Sequence, residues 1–156
     1  DPHLLEYVRA IGPILVALAV AYIAYQQWQT NRLALKEKLL DRRLKIIDAT
    51  STFFEATSEF NAEEYLEERR RFSKHLIEAE YLFNSEIHGE LQQFFHLNSQ
   101  LRRAIERIKD ANRLTDEQAA KIADEKADID KKIVDTLQRI WSASAKYMRI
   151  DEGHSN

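Results

Sequence analysis

The chain has 156 residues, room for one domain or for one small domain with an appendage. It has no cysteine, which excludes disulfide scaffolds, thiol catalysis and thiolate metal sites, and its net charge of −3 argues against a nucleic-acid binder that works through bulk positive charge. Only 3 glycines and 2 prolines leave few of the turns that an all-β or α/β chain requires, so the fold class expected is all-α.

The first expected element is an apolar helix. Between Arg9 and Arg32 lie 22 residues with no charged side chain. Counted from Val8 to Trp28 the stretch is 21 residues, which as a helix is ~30 Å and matches the hydrocarbon thickness of a bilayer. Tyr7 marks one rim, and Tyr22, Tyr25 and Trp28 mark the other, where amphipathic rings favour the headgroup level. Pro13 falls near the start, where a helix tolerates it. Before the segment stands one basic residue, Arg9, against Asp1 and Glu6. After it come Arg32, Lys36, Lys38, Arg42, Arg43 and Lys45, against Glu37 and Asp41. The positive-inside rule then puts the N-terminus outside and the C-terminal side in the cytoplasm. A cleaved signal peptide carries its positive charge before the apolar core, so a retained anchor is expected. Residues 1–30 are read as flank and transmembrane helix.

One face of that helix is small, with Pro13, Ala17, Ala21 and Ala24 at steps of four, four and three. Such a face allows close helix–helix approach in lipid, although alanine is also common in spans. The cluster that includes Gln26, Gln27 and Asn31 is uncharged but polar. It suits an ordinary interface or the amide-lined mouth of an oligomeric pore. Arg32, Lys36, Arg42 and Arg43 form the juxtamembrane basic set, able to meet anionic headgroups or acidic neighbours.

Residues 31–150 read as an antiparallel bundle of about four helices, the first continuous with the span. Its apolar stripe is Leu33, Leu40, Leu44, Ile47 and Phe54. Asn61 with Glu64 forms a capping box for the second helix, with Tyr65, Phe72, Leu76, Ala79 and Phe83 facing inward. Ser85 caps the third, which carries Ile87, Leu91, Phe94, Leu101, Ile105 and Ile108. Thr115 with Gln118 opens the fourth, with Ile122, Ile129, Ile133, Leu137 and Ile140 on its stripe and Gly153 just past its end. Residues 151–156 are expected to be a flexible tail.

Chemistry is sparse. Gly12, Gly89 and Gly153 stand alone, so there is neither a Walker A loop nor a dinucleotide fingerprint. No Glu-x-x-His pair occurs, and His88 and His96 are too far apart on one helix to chelate a single ion. No cofactor, no metal site and no catalytic residue is expected. One stretch, EERRRFSKH, contains Arg70 and His75 five apart and resembles the Arg-x(4–6)-His signature of HEPN-type helical ribonucleases. Arg71 departs from that pattern, because the family usually has Asn, His or Asp directly after the Arg. In a regular helix residues five apart also point roughly 140° away from each other. The competing reading is a solvated basic face paired with Glu67 and Glu68.

Tyr25, Gln26, Gln27, Trp28, Asn31 and Arg32, then Leu40, Asp41, Arg42 and Arg43, then Leu82, Phe83, Glu86 and Ile87 carry a further likeness. Across about 25–100 the chain resembles small bacterial single-span membrane proteins in which one N-terminal span leads into a cytoplasmic helical domain. More loosely, the order of span and bundle is similar to the pore-forming accessory membrane protein of type VI CRISPR systems, which carries a divergent HEPN-like domain. The first likeness implies the bacterial cytoplasmic (inner) membrane. The second implies an oligomeric, membrane-perturbing effector in antiviral defence. Two alternatives stand beside it: a single-pass anchor or scaffold whose bundle binds a cytoplasmic protein, and a membrane-tethered ribonuclease using Arg70 and His75. The expected partners are the lipid bilayer, further copies of the chain and a possible cytoplasmic protein. Nucleic acid is disfavoured but stays open.

Overall fold

A computed structural model describes the backbone of residues 2–59, 61–110 and 114–148, with side chains from Pro13 onward. Among these residues there are four α-helices and no strand: α1 (Pro2–Ser58), α2 (Ala62–Leu82), α3 (Ser85–Lys109) and α4 (Asp116–Met148). The all-α, four-helix reading holds. The expected tail 151–156 and Gly153 lie outside the described residues. The chain divides into two compact units, one ending at Leu39 and one beginning at Leu40, where sequence suggested a boundary between 30 and 31.

Among the described residues the first unit consists of α1 alone. Pro13 lies inside this helix and not near its start, because α1 begins at Pro2. From Ile14 to Ser58 no Gly or Pro interrupts the helix, and residues 33–45 are almost all strong helix formers. Large apolar side chains from Ile14 to Leu35 are more than half exposed, Ile14, Leu18 and Tyr22 among them. No helix among the described residues is long and apolar enough to cross a membrane. The expected span Val8–Trp28 ends on Gln26, Gln27 and Trp28.

The second unit is the bundle. Arg43 Nε donates to the Leu82 carbonyl at 2.9 Å, and an Arg102 guanidinium nitrogen donates to the Glu59 carbonyl at 2.7 Å. These pairings set α2 antiparallel and α3 parallel to the end of α1. Ion pairs of Arg139 with Glu90 and of Arg107 with Glu125 set α4 antiparallel to α3. The expected up-down order follows. Helix starts are local. The Asn61 side chain accepts from the Glu63 and Glu64 amides at 3.1 and 3.4 Å. Thr115 and Gln118 form a reciprocal box, each amide donating to the other's side chain at 3.1 and 3.3 Å. The third start differs from expectation: Asn84, not Ser85, is the cap, accepting from the Ile87 amide at 3.1 Å.

The core centres on Phe53. Its ring centroid lies 5.0 Å from Phe72, 6.1 Å from Tyr65, 5.8 Å from Phe95 and 6.2 Å from Phe94. Most expected stripe residues of α2, α3 and α4 are buried, Leu76, Ile108 and Leu137 only partly. On α1 the stripe is displaced by one residue. Ile46, Thr50, Phe53, Ala56 and Thr57 face inward, while Leu33 and Leu44 are exposed and Ile47 and Phe54 only half-buried. Two threonines make this possible by donating to their own helix, Thr50 to the Ile47 carbonyl at 2.6 Å and Thr57 to the Phe53 carbonyl at 2.7 Å. A buried hydroxyl that has a partner carries little penalty. Phe53→Ala is expected to cost ~3–5 kcal/mol, and Phe54→Ala well under half of that. Urea unfolding followed by circular dichroism compares them, and equal losses would refute this register.

Candidate functional site

Three places hold the residues singled out by sequence. The first is the exposed part of α1. Gln26, Gln27 and Asn31 border one shallow depression together with Tyr22, Ile23 and Thr30. Gln26 and Asn31 sit on its opposite rims, roughly 140° apart around the helix. The amides are tied to aromatic neighbours one turn back. Gln26 donates to the Tyr22 hydroxyl at 3.0 Å and Gln29 to the Tyr25 hydroxyl at 2.8 Å. The Arg32 guanidinium lies 5.5 Å from the Trp28 ring centroid, a cation–π distance. Ala17, Ala21 and Ala24 are exposed along one stripe with Pro13.

The second place is where the chain joins the bundle. The basic set divides here. Arg32 and Lys36 belong to the first unit and have no ion pair among the described residues. Arg42 pairs with Glu78 on α2. Arg43 is half-buried, bonded to the Leu82 carbonyl and stacked 5.1 Å from the Tyr147 ring centroid and 6.0 Å from that of Phe83. It therefore closes the open C-terminal carbonyl of α2. Lys45 pairs with Asp41 at 2.8 Å, the i, i+4 contact expected from sequence. The Asp41 hydrogen bond, and then its charge, hold the Lys45 ammonium above its ordinary range.

The third place is the Arg70/His75 stretch on α2. Arg70 is exposed. His75 is half-buried in a groove between α1 and α2, lined also by Lys45, Asp48, Thr52, Glu68 and Arg71. Its Nδ1 is 3.8 Å from a Glu78 carboxylate oxygen. The neighbour that shares this groove is Arg71, and Arg71 pairs with Glu67 at 2.6 Å and Glu68 at 2.8 Å. Within one chain Arg70 and His75 are not brought together. Among the described residues no group of three or more His, Asp or Glu converges as metal ligands would.

The sequence did not reveal the most buried charge among the described residues. Arg102 is 3% exposed. It holds the Glu59 carbonyl, pairs with Glu106 at 3.0 Å, and lies 4.9 Å from the Tyr65 ring centroid. A signal was present: Arg102 falls in register with Phe94, Leu101 and Ile105, a core position on α3 where a charge demands a partner. Beside it, Asn98 donates to the Phe94 carbonyl at 2.9 Å, while its buried Oδ1 has no partner.

Comparisons with protein-family models, with curated proteins and with solved structures give no match.

The α1–α2 corner carries a like-charge contact. The Glu64 carboxylate, by its charge and then by its hydrogen bond, raises Glu59 above its ordinary value of 4.5, with Glu55 adding repulsion. A carboxyl raised in the fold binds its proton more tightly there than in the unfolded chain. Its repulsion is absent below 4.5 and destabilises the fold as pH rises through the raised value. Glu59→Gln is therefore expected to raise the thermal midpoint at pH 7 and leave it unchanged at about pH 3. Equal shifts at both pH values would exclude this origin.

Proposed function

We propose that the chain is a membrane-anchored assembly module: the apolar part of α1 is embedded in a bilayer and the bundle from Leu40 onward is a cytoplasmic interaction domain. The observation that carries this reading is the circumferential exposure of large apolar side chains on α1, with Ile14, Leu15, Val16, Leu18 and Val20 each 59–64% exposed. A helix apolar on all sides belongs in an apolar surrounding. The described residues alone do not reach the length required. The reading joins them to the uncharged residues Ala10, Ile11 and Gly12 that precede them in sequence. Further support comes from the polar end of the segment. Gln26 and Gln29 satisfy their amides on Tyr22 and Tyr25 hydroxyls, an arrangement suited to the boundary between hydrocarbon and water. The basic flank that follows supports a cytoplasmic bundle.

Alkaline carbonate washing of membranes tests the anchor. The chain is expected to stay in the pellet, and a variant with Leu15, Leu18 and Val20 changed to Gln is expected to be released. Release of the unaltered chain would dismiss the anchor.

A second reading, in which an oligomer of the chain conducts, is favoured by Gln27, Thr30 and Asn31, which share one side of α1. Turned inward in a ring, that face presents amides and a hydroxyl to passing water and ions. It predicts dye or ion release from liposomes reconstituted with the full chain, reduced by Gln27→Leu with Asn31→Leu. Liposomes that stay sealed leave the anchor reading without the channel.

A further inference from the structure

Between Pro13 and Leu39 one side of α1 is sorted along its length. Ile14, Leu18, Tyr25, Trp28, Arg32 and Lys36 fall within an arc of roughly 80°, in the order apolar, aromatic, cationic. All six are exposed. The Tyr25 and Trp28 ring centroids are 6.2 Å apart, and the Arg32 guanidinium lies over the Trp28 ring. Gln27 and Thr30 fall on the opposite side of the helix. Arg32 and Lys36 stand one turn apart, a like-charge spacing that destabilises a lone helix. In the bundle, lysines at this spacing meet an acid: Lys45 with Asp41, Lys126 with Asp130 and Lys132 with Asp128. On α1 no acid is in reach. The one acidic residue between Pro13 and Leu39 is Glu37, roughly 100° round the helix from Lys36 and 140° from Arg32.

We propose that this side of α1 holds the headgroup of an anionic phospholipid, with the Trp28 ring at the ester level and Arg32 and Lys36 on the phosphate. This rests on α1 being the anchor proposed above. Helical side chains lean toward the helix N-terminus, so both cations are carried back toward Trp28, as the 5.5 Å from the Arg32 guanidinium to that ring centroid records. Along the axis Arg32 is ~6 Å and Lys36 ~12 Å beyond Trp28. The headgroup layer is ~5–8 Å deep on each side of the hydrocarbon. Arg32 therefore meets the phosphate directly, and Lys36 reaches it along its flexible stem. A zwitterionic headgroup sets an ammonium of its own against the two cations. An anionic headgroup brings net negative charge and relieves their mutual repulsion. Lipid held on this side leaves the amides of the opposite side uncovered.

The chain has two tryptophans, so Trp141→Phe, at an exposed position of the bundle, leaves Trp28 as the sole reporter. The full chain with this change is reconstituted into equimolar phosphatidylglycerol and phosphatidylcholine, with one lipid or the other brominated in its chains. Quenching of Trp28 is expected to be stronger when phosphatidylglycerol carries the bromine, at about a tenfold preference. Arg32→Gln or Lys36→Gln is expected to cut that preference about fivefold. Lys38→Gln removes the same charge from the other side of the helix and is expected to leave it unchanged. Equal quenching by the two lipids, or an equal loss with Lys38→Gln, overturns the headgroup site and leaves the anchor standing. No quenching by either lipid takes Trp28 out of the bilayer and overturns the anchor as well.

Discussion

Phe53 is the side chain on which three helices meet, and the bundle depends on its position. Its ring touches Tyr65 and Phe72 from α2 and Phe94 and Phe95 from α3. Aromatic pairs of this kind contribute ~0.5–1.5 kcal/mol each beyond their area burial. The rest of the inward face of α1 is modest: Ile46, Ala56 and two threonines whose hydroxyls are turned back on their own helix. Without Phe53 that face lacks the apolar area to hold α1 in the bundle.

The ends of that contact are held by arginines. Helices commonly end on a glycine that closes the last carbonyls through a left-handed turn. Here no described residue has a positive φ, and Gly12 and Gly89 lie inside helices. Arg102 instead reaches from α3 to the carbonyl of Glu59 just past the end of α1, and Arg43 reaches from α1 to the last carbonyl of α2. Each arginine also lies over an aromatic ring, Tyr65 for one and Tyr147 for the other. Two cations thus do the work of two missing glycines and fix the register of the α1 segment that packs in the bundle at both of its ends. Arg43 is consequently committed within the bundle through a carbonyl and two rings, and Arg42 through Glu78, while Arg32 and Lys36 have no ion pair among the described residues.

Much of this was legible in the sequence, and what was not has a physical reason. Capping at Asn61 and Thr115 depends on three or four consecutive residues, so it can be read locally. Asn84 and Ser85 are both good caps side by side, and local chemistry does not choose between them. The displaced stripe of α1 has a similar origin. Leu40, Leu44, Ile47 and Phe54 make a face as apolar as the one the fold uses. The true face contains Thr50 and Thr57, which are scored as polar until their intrahelical bonds are known. Arg102 is hidden because a charge is ordinarily assigned to the surface, and its partners, Glu59 and Tyr65, are about 40 residues away. For the candidate sites, Gln27 and Asn31 are four residues apart and share one side of α1, whereas Arg70 and His75 are five apart and do not share one on α2.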